Sequence, residues 1–119
     1  MQYMLKIFVD ETQYARMTPA EQDQRTGAYH AYSEALRQAG VLRGGARLEP
    51  STAATTVRLV DGRPQVLDGP YVDSREQLGG YFLIEVADLD AALSWAHRCP
   101  GVSHGIVEVH PIAYMPIPA

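Results

Sequence analysis

The sequence predicts an α+β fold of the ferredoxin-like kind, a split β-α-β plan with an inserted β-hairpin. Segments rich in strand-forming residues alternate with two helical segments, and a hairpin signal lies between them. Two helices cover one face of an antiparallel sheet, which leaves the other face for a second copy of the chain. We therefore expect one domain over residues 1–119, ending in a proline-rich tail at 111–119, and a homodimer packed sheet against sheet.

The N-terminal half is predicted to contain a strand followed by a long helix. The strand covers residues 3–9, which are rich in β-forming side chains. Thr18 is a suitable N-cap, and Glu21 three residues later completes a capping box. The helix is expected to cover residues 19–39, starting with a proline at its first position and ending at Gly40.

Turn and cap signals define the rest of the chain. Asp61-Gly62 favours a two-residue hairpin. Asp68-Gly69-Pro70 is a strong turn signal, and the aromatic and β-branched segment after it is predicted to be a central strand. Asp88 is the expected N-cap of a second helix. The predicted elements are strands at 41–48, 55–60, 63–67, 81–86 and 105–110 and the second helix at 89–98.

Composition excludes several classes of protein. The net charge is −4 and no basic block exists, so the sequence predicts no nucleic-acid binding. No apolar run approaches the roughly 20 residues that span a bilayer, and the N-terminal segment lacks the features of a signal peptide. The single cysteine, Cys99, forms no internal disulfide. We therefore expect no membrane association and a cytoplasmic location.

The sequence predicts neither a cofactor nor a metal site. The histidines do not have metal-ligand spacing, and the H-E-x-x-H and C-x-x-C motifs are absent. A phosphate loop, a dinucleotide fingerprint and a nucleophile elbow are absent as well. The four histidines are His30, His97, His104 and His110.

Polar residues next to the predicted central strand are the first candidates for a site. Asp68 is a candidate general acid or base if tyrosines bury it and raise its pKa; otherwise it caps its own turn. Arg75 and Glu76 suit binding of a small anion, or else form a solvated loop. Tyr29 and Tyr32 are placed to line a pocket, or to pack between helix and sheet.

Seven segments of the chain, in this order, resemble the YCII-related family and, within it, the DGPF-domain branch. Asp68-Gly69-Pro70 is informative because Gln77-Leu78-Gly79-Gly80-Tyr81 follows it; Tyr71 stands where the motif has Phe. The segments are Tyr3-Met4-Leu5, Ala39-Gly40-Val41-Leu42, Ala54-Thr55-Thr56-Val57-Arg58, Asp68-Gly69-Pro70-Tyr71, Glu76-Gln77-Leu78-Gly79-Gly80-Tyr81, Asp88-Leu89-Asp90-Ala91-Ala92 and Val107-Glu108-Val109-His110-Pro111.

The resemblance implies a dimeric α/β barrel and a suspected enzymatic activity at a His–Asp pair in a cleft. It also implies a link to extracytoplasmic-function sigma factors, whose genes often lie beside those of this branch. The family histidine falls at Tyr29, with His30 next to it but about 100° away around the helix. The family aspartate falls at Cys99. Asp68 is then the remaining carboxylate that the motif offers.

Two function classes follow. The first is a cofactor-independent small-molecule enzyme of lyase or isomerase type, with Asp68, Tyr29 and His30 as catalytic residues. The second is a non-catalytic module that binds a small ligand or a protein such as a sigma-factor-related partner. An enzyme predicts a concave pocket with convergent polar groups, whereas a module predicts an exposed apolar patch. The substrate-binding residues of the first class are Arg75, Tyr71, Tyr32 and Tyr81.

Overall fold

The computed structural model describes residues 1–113. The element order in this part of the chain matches the predicted one, with one further short helix after the first strand. The strands are β1 (Gln2–Val9), β2 (Leu42–Arg47), β3 (Thr55–Val60), β4 (Arg63–Asp68), β5 (Gln77–Glu85) and β6 (Gly105–Pro111). The helices are α1 (Glu11–Arg16), α2 (Pro19–Gln38) and α3 (Leu89–Arg98), and two short 3-10 turns lie at Ser51–Ala53 and Pro100–Ser103.

The predicted ferredoxin-like topology is confirmed. Four antiparallel strands form a sheet in the order β2-β5-β1-β6, so β5 is central as expected. β3 and β4 form a separate two-stranded hairpin, turned by Asp61 and Gly62, whose φ angles are +52° and +76°. Pro111 ends β6, an edge strand where proline is tolerated. Residues 114–119 of the predicted tail lie outside the described part of the chain.

Helix α2 has the predicted ends. The Thr18 hydroxyl accepts a hydrogen bond from the Glu21 backbone N–H, and the Glu21 carboxylate accepts one from the Thr18 N–H. This reciprocal capping box satisfies two of the backbone donors that a helix start leaves free. Gly40, with φ +75°, ends the helix. Within residues 1–113 no helix is both long and apolar enough to cross a membrane.

Helix α1 is absent from the predicted elements. The Asp10 carboxylate accepts hydrogen bonds from both the backbone N–H and the hydroxyl of Thr12, and it acts as an N-cap. The Gln22 side-chain amide donates to the Tyr14 carbonyl at 2.8 Å, which ties α1 to α2. This short helix forms one wall of the cleft described below.

The core lies between the sheet and the helices α2 and α3. Side chains at alternating positions of β1 face the helices, and Leu5 and Ile7 are buried there. Leu36 of α2 and Ile84 of β5 have no solvent exposure. The Tyr32 hydroxyl donates to the Trp95 carbonyl at 2.6 Å, which joins α2 to α3. The buried core residues are Tyr3, Leu5, Ile7, Tyr32, Leu36, Ile84, Val86, Ala92, Ala96 and Cys99.

Truncating Leu36 should destabilise the fold strongly. The Leu36→Ala substitution removes a fully buried side chain and leaves a cavity, so the free energy of unfolding should fall by about 2–5 kcal/mol. Leu59→Ala is the matched control, because Leu59 is 69% exposed on β3 and its loss should change the stability by at most about 0.5 kcal/mol. Urea unfolding followed by circular dichroism measures both. Equal effects of the two substitutions would contradict this account of the core.

Candidate functional site

A cleft of about 620 Å³ opens between α2 and the face of the sheet that the helices cover. Its lining is mainly apolar, with polar groups contributed by α1, α2, β2 and the segment before β6. Ligand pockets for small molecules have about 300–1,000 Å³ and a similar character. The cleft therefore has the size and composition expected of a site for a small organic molecule.

Glycines form the floor of this cleft. Gly44 and Gly45 lie in β2 and Gly79 and Gly80 in β5, and all four line the cleft. A Cβ atom on Gly80 would lie 2.8 Å from the backbone carbonyl oxygen of Ala46, so the close approach of the two strands requires glycine here. This part of the floor is therefore backbone without side chains.

A tyrosine and a histidine meet in the cleft. Tyr29 of α2 and His104, which directly precedes β6, are 75 residues apart in sequence, and their Oη and Nε2 atoms are 3.0 Å apart. The rings meet edge to face, with centroids 5.8 Å apart. Gly101 makes this contact possible, because a Cβ atom there would lie 3.2 Å from the Tyr29 hydroxyl and 2.9 Å from an Ile7 methyl group.

The surroundings of the two rings favour their neutral forms. Burial raises the pKa of Tyr29, and the nearby Cys99 adds to this effect, while Arg25 and Arg47 act in the opposite direction. Burial also lowers the pKa of His104 below its usual 6.5, and the Arg25 charge lowers it further. At neutral pH a phenol therefore faces a neutral imidazole, and the hydrogen bond between them can run in either direction.

Two arginines and a second tyrosine complete the site. Arg25 lies on α2 one turn before Tyr29, and Arg47 lies at the end of β2. The Arg47 guanidinium lies over the Tyr14 ring, 5.0 Å from its centroid, and the same guanidinium lowers the pKa of the Tyr14 phenol. The cleft thus contains a protonated phenol, a neutral imidazole and the positive charges of Arg25 and Arg47.

Three of the predicted site residues lie elsewhere. Asp68 is exposed as the last residue of β4 and does not line the cleft, because the hairpin is separate from the four-stranded sheet. The role predicted for Asp68 therefore stays a prediction, and this cleft is formed without it. Tyr71 is 78% exposed and is absent from the cleft lining. The exposed Arg75 guanidinium instead lies 3.4 Å from the Asp10 carboxylate and lines a second, shallower depression.

The other predicted residues are closer to the cleft. Tyr29, His30 and Tyr81 all line it, and His30 is exposed, on a different side of α2 from Tyr29. Tyr32 is buried in the core, where its ring meets Phe82 edge to face at 5.3 Å. Of the two interpretations of the tyrosines on α2, core packing thus fits Tyr32, and pocket lining fits Tyr29.

Sequence reasoning missed His104, Arg25, Arg47 and Tyr14. Arg25 carried a usable signal, since it lies four residues before Tyr29 and therefore on the same helix face. His104 carried none, because only the packing of the Pro100–Ser103 turn against α2 brings it to Tyr29. Among residues 1–113 no three side chains of His, Cys, Asp or Glu cluster as metal ligands would.

Stability should fall as the pH is lowered below about 6.5, partly because of His104. Its pKa is lower in the folded than in the unfolded state, so the unfolded chain takes up a proton first and gains population as the pH falls. His104→Gln should lose less stability than the wild type between pH 7 and pH 5. His97→Gln, which removes an exposed histidine of α3, is the control and should behave as the wild type. Urea unfolding across this pH range measures the effect, and identical profiles for all three proteins would contradict it.

A solved structure supports the fold. The structure of 5-chloro-2-hydroxyhydroquinone dehydrochlorinase (TftG) from Burkholderia phenoliruptrix AC1100, in complex with 2,5-dihydroxybenzoquinone, is similar to this chain with a TM-score of 0.57. The match covers 97% of this chain and 96% of that chain, with 14% sequence identity. At this identity the similarity establishes the α+β fold and nothing about the reaction.

Sequence comparison establishes the family. An uncharacterised protein of Rhizobium meliloti (strain 1021) is 36% identical over 115 residues, which cover 95% of this chain and 93% of that protein. The model of the YCII-related domain matches residues 1–116. The finer assignment to the DGPF branch stays a prediction. The chain belongs to the YCII-related family.

Proposed function

We propose that this protein is a cofactor-independent enzyme of lyase or isomerase type, which transfers a proton on a small organic molecule bound in the cleft. The observation that carries the proposal is the 3.0 Å contact between Tyr29 Oη and His104 Nε2 inside a mainly apolar cleft. A proton donor and a neutral acceptor in contact, at a site large enough for a substrate, form the minimum arrangement for general acid–base catalysis.

The proposed step moves one proton along the pair. The Tyr29 oxygen takes a proton from a C–H or O–H group of the substrate while the Tyr29 proton passes to His104 Nε2. The electron pair of the broken bond remains on the substrate as an enolate or phenolate. Return of the proton to another substrate atom gives an isomerase, whereas departure of a leaving group with its electron pair, followed by loss of the His104 proton to that group or to solvent, gives a lyase. Neither route requires a cofactor.

The structural neighbour supports the choice of reaction class only through its name. A dehydrochlorinase removes HCl from its substrate, which is an elimination, and the neighbour binds a small oxygenated ring. This chain places Tyr29 and Cys99 at the positions where the resemblance locates the family histidine and aspartate, and the two side chains are close enough for Cys99 to influence the pKa of Tyr29. We propose that Tyr29 and His104 replace that pair here, instead of the Asp68 that the motif suggested.

Exchange of substrate hydrogen with solvent tests the proposal. Compounds that raise the melting temperature of the wild-type protein are incubated with it in D₂O, and loss of their C–H signals is followed by proton NMR. Tyr29→Phe and His104→Gln should each slow the exchange by at least about 100-fold, the range expected for loss of a general acid or base. His97→Gln should exchange at the wild-type rate.

Two results would overturn the proposal. One is that compounds bind the wild type but none exchanges hydrogen. The other is that both cleft variants, folded by circular dichroism, exchange as fast as the wild type.

A second candidate function is that of a binding module, and the hairpin favours it. β3 and β4 expose several apolar side chains, and an isolated two-stranded hairpin is marginally stable unless it packs on something. The sigma-factor-related partner suggested by the family resemblance belongs to this candidate. Binding without exchange in the experiment above favours it. The exposed residues are Val57, Leu59, Val60, Val66 and Leu67.

The proposed homodimer concerns the face of the sheet that the helices leave uncovered. On β1 this face carries Met4, Lys6 and Phe8, since the intervening residues are buried under the helices. Phe8 is in register with Leu78 on one side and with Ile106 on the other, so apolar side chains adjoin across three strands. Such a patch on a protein surface is typical of an interface.

The proposed cytoplasmic location agrees with the free, buried Cys99.

A charge within this patch should separate the protomers. Ile106 is 53% exposed, and Ile106→Asp would place a carboxylate in the proposed interface, where desolvation of a charge is costly. Sedimentation equilibrium at micromolar concentration should give a dimer for the wild type and a monomer for the variant. Leu93→Asp on α3, on the other side of the sheet, is the control and should remain dimeric. A monomeric wild type would exclude the dimer.

A further inference from the structure

We propose that the cleft selects planar organic anions, whose ionised oxygen atoms are bound by Arg25 and Arg47 and whose flat body rests on the glycine floor. This inference rests on the proposed function, because it names the substrate class of the same cleft. It concerns binding, however, and the proton transfer by Tyr29 and His104 is a separate property that can fail on its own.

Two carboxylates line the cleft. Asp10 and Glu11 are the acidic residues that line it, and both carboxylates already have hydrogen-bond or ion-pair partners. Asp10 accepts from Thr12 and lies 3.4 Å from the Arg75 guanidinium. The two carboxylate oxygens of Glu11 accept from the backbone N–H and the hydroxyl of Ser51, at 2.7 and 2.8 Å. These carboxylates are engaged in holding α1 to its neighbours.

The positive charges that line the cleft come from arginines. Arg37 also lines the cleft, but Glu34 neutralises it at 2.6 Å. Within the described part of the chain, no carboxylate lies within 4.0 Å of the side-chain nitrogens of Arg25 or Arg47. Two unneutralised guanidinium groups that line a mainly apolar cleft make it attractive to an anion.

The charges of Arg25 and Arg47 both act on the Tyr29 phenol. Arg25 and Arg47 lie on different elements, α2 and β2, yet both act electrostatically on the Tyr29 phenol, and Arg25 acts on His104 as well. Both charges therefore act on Tyr29, inside the cleft that the two arginines line. An anion bound between them would lie against the proton donor, and charge that develops on a substrate oxygen would be stabilised there.

The shape of the cleft also restricts its ligand. The Arg47 guanidinium is held against the Tyr14 side chain, 5.0 Å from its ring centroid, so one of the two positive charges has a fixed neighbour in the cleft. Gly45, two residues before Arg47 on β2, and Gly80, opposite Arg47 on β5, provide a floor without side chains beside this charge. A flat, apolar body with acidic oxygens on its edge fits both features, whereas a neutral or a bulky aliphatic molecule fits only one.

Calorimetric titration with four small probes tests the inference. Benzoate and 2,5-dihydroxybenzoquinone are ring anions at pH 7.5, hydroquinone is a neutral ring, and acetate is an anion without a ring. The wild type should bind both ring anions at least tenfold more tightly than hydroquinone or acetate. Because the attraction is partly electrostatic, the affinity for the ring anions should fall as the salt concentration rises.

Variants identify the residues. Arg25→Gln and Arg47→Met should each weaken binding of the ring anions at least tenfold, and Arg47→Lys should weaken it less, since it keeps the charge but loses the fork of donors. Arg58→Met is the matched control, because it removes one positive charge from the exposed strand β3, outside the cleft, and should bind as the wild type. Thermal unfolding confirms that each variant is folded.

The outcomes separate this inference from the proposed function. Equal binding of hydroquinone and the ring anions, unchanged affinity in both cleft arginine variants, or failure of all four probes to bind at millimolar concentration would overturn the anion site. Anion binding that depends on Arg25 and Arg47, in a protein that exchanges no substrate hydrogen, would support the site and overturn the enzymatic proposal. Tyr29→Phe should retain anion binding and lose only the exchange.

Discussion

The packing of α2 against the sheet determines both the core and the cleft. In its C-terminal half, Tyr32 and Leu36 are buried against β1, β5 and α3 and hold the helix to the sheet. Nearer the start of the helix, Arg25 and Tyr29 line the cleft together with the glycines of β2 and β5. The same helix is therefore stabilised at one end and leaves a ligand-sized space at the other, so the stability and the site depend on one contact surface.

Within that space, burial controls the chemistry more than charge does. Burial is the largest cause of the raised pKa of Tyr29 and of the lowered pKa of His104, so both groups are held neutral. The arginines oppose the effect at Tyr29 and reinforce it at His104. Protonation of His104 would place an imidazolium near the Arg25 guanidinium, which is one cause of the lowered pKa of His104.

Turn and cap chemistry made most of the fold predictable, because those signals act between residues close in sequence. Thr18 and Glu21 set the start of α2, Asp61-Gly62 sets the hairpin, and Asp88 sets the start of α3, all as expected. Helix α1 escaped prediction because a single residue, Asp10, follows the end of a strand and also caps a helix. The site was harder to predict, since the motif around Asp68 marks an exposed hairpin end.

By itself the sequence determined the strand and helix order, the ferredoxin-like plan and the family, because hydrophobic periodicity and capping residues are local properties of the chain. It also placed Tyr29 on the correct helix. Only the tertiary structure decided that Tyr29 meets His104, 75 residues further along, and that the cleft lies on a floor of glycines. The physical reason is that burial and hydrogen-bond partners arise when distant elements pack together, and no local pattern encodes which polar side chains then share a space.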